Sequence, residues 1–284
     1  MSFEALETSR FLGRPVRLFV FQRQAVIWRF CNADRNIVID GATYLAARIG
    51  RSEIQQTAER AKDDLKITLA YLRDPGAAEY PSTQALGDNW HPYVPSDTIS
   101  VTCLAAHIGD TGPPAVEWSG IVVQPAFSDS ELELTCEPGP AIAKARNIGA
   151  KWQRGCWKSV YSTGLRGCNL DPGAFAVSGS LTAVAGLVVS AAEFASAPLD
   201  LAGGWVEWTR VDGIVERRGI RTHSGTDVTL IYGAADLAAG LAVTARPGCQ
   251  QTWAACDARS NTINFGGAIY KPGKDPMQVP MSWE

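Results

Sequence analysis

Ile37-Val-Ile-Asp-Gly-Ala-Thr-Tyr44 reads as two short strands folded back on a two-residue turn. Its β-branched and apolar residues suit the pleated period of a strand. Asp40-Gly41 supplies the left-handed backbone that a tight hairpin turn requires. The same period extends outward. Residues 17–21 and 25–30 are strand-like runs upstream. Downstream, Leu65, Ile67 and Leu69 alternate like a strand with one buried face, after a short helical turn expected at 58–64. Residues 74–95 are rich in Pro, Gly, Asp and Asn, which predicts a surface loop. Strand patterns return at 99–104, 115–123 and 130–136. In the last of these Glu131 and Glu133 share one face and Leu132 and Leu134 the other, as in a strand half in solvent.

Glu137-Pro-Gly-Pro140 interrupts this pattern and puts the main boundary near residues 137–150, dividing the chain into 1–145 and 146–284. The second part opens with a Gly- and Trp-rich stretch, 152–168. Strand-like runs follow at 180–191, 205–210, 214–222 and 228–232, with Asp212-Gly213 as a second hairpin turn and one helical turn expected at 236–241. The fold class predicted is mainly β in both parts. Residues 174–191 are the most apolar stretch, but Ser178, Gly179, Ser180, Thr182 and Gly186 break it into strands and turns rather than a membrane span.

The balance of the chain excludes some functions. Across 284 residues, 26 basic and 29 acidic side chains are interspersed and give a net charge of −3. That is no electrostatic grip for nucleic acid. Nine tryptophans, a residue type favoured at interfaces, point instead to assembly. Met1-Ser-Phe-Glu-Ala-Leu-Glu7 has neither the basic nor the apolar region of a secretory signal, so synthesis in a reducing cytoplasm is expected. Seven cysteines there read as thiols or metal ligands rather than a disulfide framework.

Four of them form two pairs, Cys156 with Cys168 and Cys249 with Cys256. Eleven residues (157–167) separate the first pair and six (250–255) the second, both longer than the knuckle of a structural zinc site. Four thiolates suit one iron–sulfur cluster or one zinc ion, and irregular spacing leans toward the cluster. Gly155, Gly167 and Gly248 each precede a cysteine and permit close backbone approach to a sulfur. Arg154, Lys158, Arg166, Arg246 and Arg259 flank the set and would offset its negative charge. The bland alternative is that cysteines pack as small hydrophobes. That reading suits Cys31, Cys103 and Cys136, which lie in or beside strand-like runs.

Nothing in the chain reads as a catalytic set. His91, His107 and His223 show no metal-ligand spacing, and Cys103 with His107 matches no nucleophile signature. Asp63 and Asp64 are adjacent and point apart. No phosphate loop, dinucleotide fingerprint or Gly-x-Ser-x-Gly elbow is present.

Cys249-x6-Cys256, Arg259-x-Asn261-x-x-Asn264-Phe-Gly-Gly and Lys271-Pro-Gly-x-Asp275 resemble the ending of tail-tip hub proteins of long-tailed phages and gene transfer agents. Ile37-x-x-Asp-Gly-x-x-Tyr44, Ile49-x-Arg-Ser-Glu-Ile54 and Leu65-x-Ile-x-Leu69 resemble that family's opening, while residues 75–150 match only as generic β-sheet. The family is similar in architecture to the lambda tail-tip protein L. The resemblance implies β-barrel, tube-like hub domains followed by a β-rich domain whose four cysteines bind a [4Fe–4S] cluster. The ligands would be Cys156, Cys168, Cys249 and Cys256, with the local motif weakest at Cys168. It further implies a non-enzymatic, homotrimeric ring at the virion tail tip, assembled in the bacterial host cytoplasm. The ring would join the distal tail protein to the central fibre or tip protein, and its lumen would pass the tape measure protein and then DNA without membrane insertion. A zinc-stabilised structural protein and a host iron–sulfur redox protein are the competing readings.

Overall fold

The computed structural model describes residues 7–9, 13–54, 64–109, 112–139 and 152–272. It is mainly β, with 40% strand and 8% helix. The chain forms two compact units. One comprises Met1–Arg146 and Thr209–Glu216, the other Asn147–Trp208 and Arg217–Glu284.

The first unit holds nine strands: β1 (Pro15–Arg23), β2 (Val26–Cys31), β3 (Ile37–Ile39), β4 (Ala42–Ala46), β5 (Ile49–Arg51), β6 (Leu65–Ala70), β7 (Ser100–His107), β8 (Ala115–Phe127) and β9 (Glu131–Pro138). Their order in one sheet is β3-β4-β2-β1-β7-β8-β9-β6-β5. The β3–β4 hairpin pairs Ile37 with Tyr44 and Ile39 with Ala42. Asp40 and Gly41 both take positive φ, 49° and 71°, as the turn requires. Two bulges, at Cys103/Leu104 in the β7–β8 ladder and at Val122/Gln124 in the β8–β9 ladder, bend their strands. The sheet curls as a half-barrel. It is open, with β3 and β5 as end strands, so the barrel expected for the N-terminal part is not closed by the described residues.

Strand β1, an interior strand of this sheet, carries buried residues on both faces. Phe19 and Phe21 join Leu65, Ile67, Leu69, Leu132 and Leu134 in the larger core. Val16 and Leu18 join Cys31, Ile37 and Tyr44 on the other side. Each of the Val, Leu, Ile and Phe side chains among them contributes about 1.5–3 kcal/mol by leaving water. Arg23 ends β1 fully buried. Its guanidinium donates to Glu216 at 2.6 Å and to Asn89 at 3.0 Å, so the charge is paired. Residues 74–95 are not all loop: Gln84–Gly87 forms one helical turn that drives Leu86 into the core, with Trp90 just beyond it. The helical turn expected at 58–64 falls on residues that, except for Asp64, lie outside the described ones.

The second sheet, in the second unit but for Thr209, Val215 and Glu216, holds β10 (Val177–Ser180), β11 (Ala183–Ala185), β12 (Val188–Ser190), β13 (Trp205–Thr209), β14 (Val215–Ser224), β15 (Asp227–Leu230) and β16 (Ala242–Arg246). The sheet order is β10-β16-β13-β14-β15-β12-β11. The apolar run at 180–191 contains a hairpin, β11–β12, turned at Gly186 with φ 64°. No described helix is long and apolar enough to cross a membrane. Val189, Leu201, Val206, Trp208, Ile220, Val228, Leu230 and Val243 are among the core residues. Residues 236–241 form turns, not the helical turn expected. Asp236 there accepts from the Trp208 indole at 2.6 Å.

Candidate functional site

Two irregular segments of the second unit carry the four C-terminal cysteines. The first, 152–176, is built of turns. The second leaves β16 through Arg246-Pro-Gly and enters a short helix, Trp253–Asp257. Thr252 caps that helix by accepting from the Ala255 N–H at 3.2 Å. Gly248 is required by contact: a Cβ there would lie 2.2 Å from the Gly203 carbonyl carbon and 2.5 Å from its oxygen. The backbone before Cys249 is thereby pressed against another loop.

The segments are stitched together around the thiols. The Cys156 N–H donates to the Gln251 carbonyl at 2.7 Å, and the Ala268 N–H donates to the Gln153 carbonyl at 2.8 Å. Lys158 donates to the carbonyls of Gly167 and Asn264, at 2.9 and 2.6 Å. Tyr161 donates to Pro247 O at 2.8 Å. Arg259 donates to the carbonyls of Ala255 and Gly248. Of the flanking cations expected to sit beside the thiols, Lys158 and Arg259 tie loops around them. Arg246 pairs with Glu207, and Arg154 and Arg166 are exposed.

Three sulfurs accept N–H donors. Cys156 Sγ accepts from the Gly266 amide at 3.3 Å, Cys249 Sγ from the Gln251 amide at 3.4 Å, and Cys168 Sγ from the Asn261 side-chain amide at 3.4 Å. The donors are therefore not the glycines that precede the cysteines. Gly266 belongs to the Phe-Gly-Gly motif. The fourth sulfur, Cys256 Sγ, donates to Asn261 O at 3.1 Å and is buried. Burial raises the Cys256 pKa. The Cys168, Cys156 and Cys249 thiols raise it further, and Arg259 opposes them. The segments that carry the two pairs are joined by hydrogen bonds: Asn261 bonds to Cys168 and Cys256, and the Gln251 backbone to Cys156 and Cys249. As placed, no three described Cys, His, Asp or Glu side chains stand close enough to share a single ion.

The other candidates resolve into structure. Cys31, Cys103 and Cys136 are buried. Burial pushes the Cys103 thiol up to about 12 and raises Cys136 as well, so neither forms a thiolate near neutrality. His107 Nε2 meets Glu7 at 2.7 Å. His223 is held by the Leu201 N–H and the carbonyls of Phe194 and Gly225. His91 packs against Tyr71 and Phe127. Arg218, buried and missed from sequence, lies 4.6 Å from the Tyr232 ring and 5.7 Å from that of Trp208, and donates to Gly233 O. Only its central place in strand 214–222 signalled it.

A protein of Xylella fastidiosa strain 9a5c, described as uncharacterized, is 34% identical to this chain in an alignment taking in all of both. The chain belongs to the same family as that protein. Residues 201–275 also match the model of a family described as phage conserved hypothetical protein BR0599. Cys249, Cys256 and the Asn261–Gly267 stretch fall inside the matched region. Among solved structures, a chain of the native gene transfer agent virion particle is similar in fold. Its TM-score is 0.76 at 18% identity, over 100% of this chain and 96% of that chain.

Proposed function

We propose that this family member is a structural protein of a phage or gene transfer agent tail: a non-enzymatic tail-tip hub whose C-terminal unit holds a structural [4Fe–4S] cluster through Cys156, Cys168, Cys249 and Cys256. The observation that carries the assembly reading is the likeness of fold, end to end, to a chain of a virion. The match of residues 201–275 to a phage-conserved family adds to it. In the hub, copies form a trimeric ring between the distal tail protein and the central fibre or tip protein. The lumen passes the tape measure protein and DNA, which a chain of net charge −3 does not grip. The open sheet of the first unit fits this role, since its end strands β3 and β5 leave backbone edges for a neighbour to cover. Large apolar side chains left exposed, such as Val38 and Val116 in the first unit and Trp152, Leu165, Ile263 and Tyr270 in the second, suit covered surfaces.

The cluster reading rests on the sulfurs. N–H donors directed at thiolates stabilise their charge. One zinc ion would need all four sulfurs about 2.3 Å from a single point. What favours a cluster over zinc is the irregular spacing of the four cysteines, longer than the knuckle of a structural zinc site. When bound, the cluster cross-links two loop segments that have little core of their own, and metal binding there is folding energy. The chain's own part is to hold four sulfurs at fixed places through Gln251, Asn261, Gly266 and the Lys158 and Arg259 ties. The hub role is tested by immunogold labelling of purified particles with antibody against the chain. Label confined to the tail tip supports it; label on the capsid, or none on particles, overturns it.

A further inference from the structure

Asn261 is a buried polar residue, and each of its groups is committed to a cysteine or to the residue that orients it. Its side-chain Nδ2 lies 2.8 Å from the Cys168 carbonyl oxygen and 3.4 Å from Cys168 Sγ. A backbone carbonyl can only accept, so the atom facing it is the amide nitrogen rather than the amide oxygen. Asn264 enforces the same orientation from the other side, donating from Nδ2 to Asn261 Oδ1 at 2.7 Å. The Asn261 backbone belongs to Cys256: its N–H donates to Cys256 O at 3.1 Å, and its carbonyl accepts from Cys256 Sγ at 3.1 Å. Asn261 therefore bonds to one cysteine of each pair. Gln251 also does so, but through its backbone alone: its N–H reaches Cys249 Sγ and its carbonyl accepts from the Cys156 N–H. At Asn261 the link to the first pair is a side chain, which substitution can remove.

We infer that Asn261 is a positioning residue for the four-thiolate centre: it sets Cys168 in register with the Cys249–Cys256 segment and, through its N–H···S bond, stabilises the added negative charge of a reduced centre. The inference rests on the cluster reading above. Cys168 needs such a support. Its N–H is held by Ser162 Oγ at 3.0 Å, within its own loop, and the Asn261 amide ties it to the second segment. In the thiol form Cys256 spends its S–H on Asn261 O. The Asn261 N–H to Cys256 O bond holds the Cys256 backbone beside that sulfur.

The test uses the full chain purified without oxygen, as wild type, Asn261→Ala and Asn261→Asp. Iron and sulfide content, loss of the visible band under chelator, reduction potential and thermal melting are measured on each. Asn261→Ala is expected to weaken retention under chelator by about 10–100-fold, the range for lost outer-shell partners. Its potential should move negative. Asn261→Asp, which replaces the donor by a charge, should move it further. Wild type loaded with cluster and variants of unchanged potential and retention would overturn the inference and leave the cluster reading standing. A lowered melting temperature with unchanged potential would overturn it equally, as the mark of a merely structural side chain. Wild type without iron or sulfide would overturn the cluster reading, and this inference with it.

Discussion

Cys136 and Cys168 are both free thiols of one chain, and their surroundings are opposite. Cys136 lies on β9 in the core of the first unit, and its sulfur donates weakly to the Leu134 carbonyl at 3.7 Å. Cys31 does the same toward Arg35 and Tyr44. These are neutral thiols, and burial raises the pKa of each. Cys168 lies on a turn-rich segment of the second unit, and its sulfur accepts an N–H. Cys156 and Cys249 also accept one. A sulfur that donates is content as S–H; a sulfur that collects donors is prepared for negative charge. The contrast is one of hydrogen-bond direction, and it covers three of the four C-terminal cysteines: Cys256 is buried and its Sγ donates to Asn261 O, so it is tied to the others through Asn261 rather than by collecting a donor of its own.

The hardest way to break this contrast is to exchange one residue of each set. If the proposed cluster is bound, Cys249→Ser should abolish it, removing a metal contribution that in structural sites is on the order of 10 kcal/mol. Melting of the second unit would fall and iron content collapse. Cys103→Ala should cost only about 1 kcal/mol and leave metal content unchanged. Equal metal loss in both variants would dissolve the distinction.

Alkaline pH probes the neutral set. The folded Cys103 pKa of about 12 stands above its ordinary value of 9.0. The stability this represents is fully present below pH 9 and is lost as pH rises from there toward 12, on the order of 4 kcal/mol in all. Denaturant midpoints of the full chain should decline over that window, and Cys103→Ala should flatten the decline. An unchanged slope would refute the burial argument.

Gly248→Ala addresses how the second set is held. The new Cβ would meet Gly203 backbone, at a cost of about 1–3 kcal/mol, and should shift the loop that carries Cys249. Reduced metal retention together with a lower melting temperature is expected. The smallest effect should come from Lys66→Ala. The Lys66–Glu133 pair is solvent-exposed, so stability should change by less than about 1 kcal/mol.

Much of the strand pattern was legible because alternation is local. Leu65, Ile67 and Leu69 are buried as their spacing predicted, and Asp40-Gly41 turns the hairpin. Short helices were not. Gln84–Gly87 and Trp253–Asp257 span barely more than one turn, too short for a helical period to register. Sheet order was also hidden, since β1 pairs with the distant β7 and β2 runs parallel to β4 through contacts no local spacing encodes. At the site, the number and spacing of the cysteines stand in the sequence itself. The donors were not legible there, because Asn261 and Gly266 reach the first pair only through folding.

The most direct test of the account is anaerobic purification of the full chain with iron, acid-labile sulfide and zinc quantified beside the visible spectrum. The account predicts about four iron and four sulfide per chain with a brown charge-transfer band. Zinc near one per chain, or neither metal in carefully anaerobic material, would contradict it.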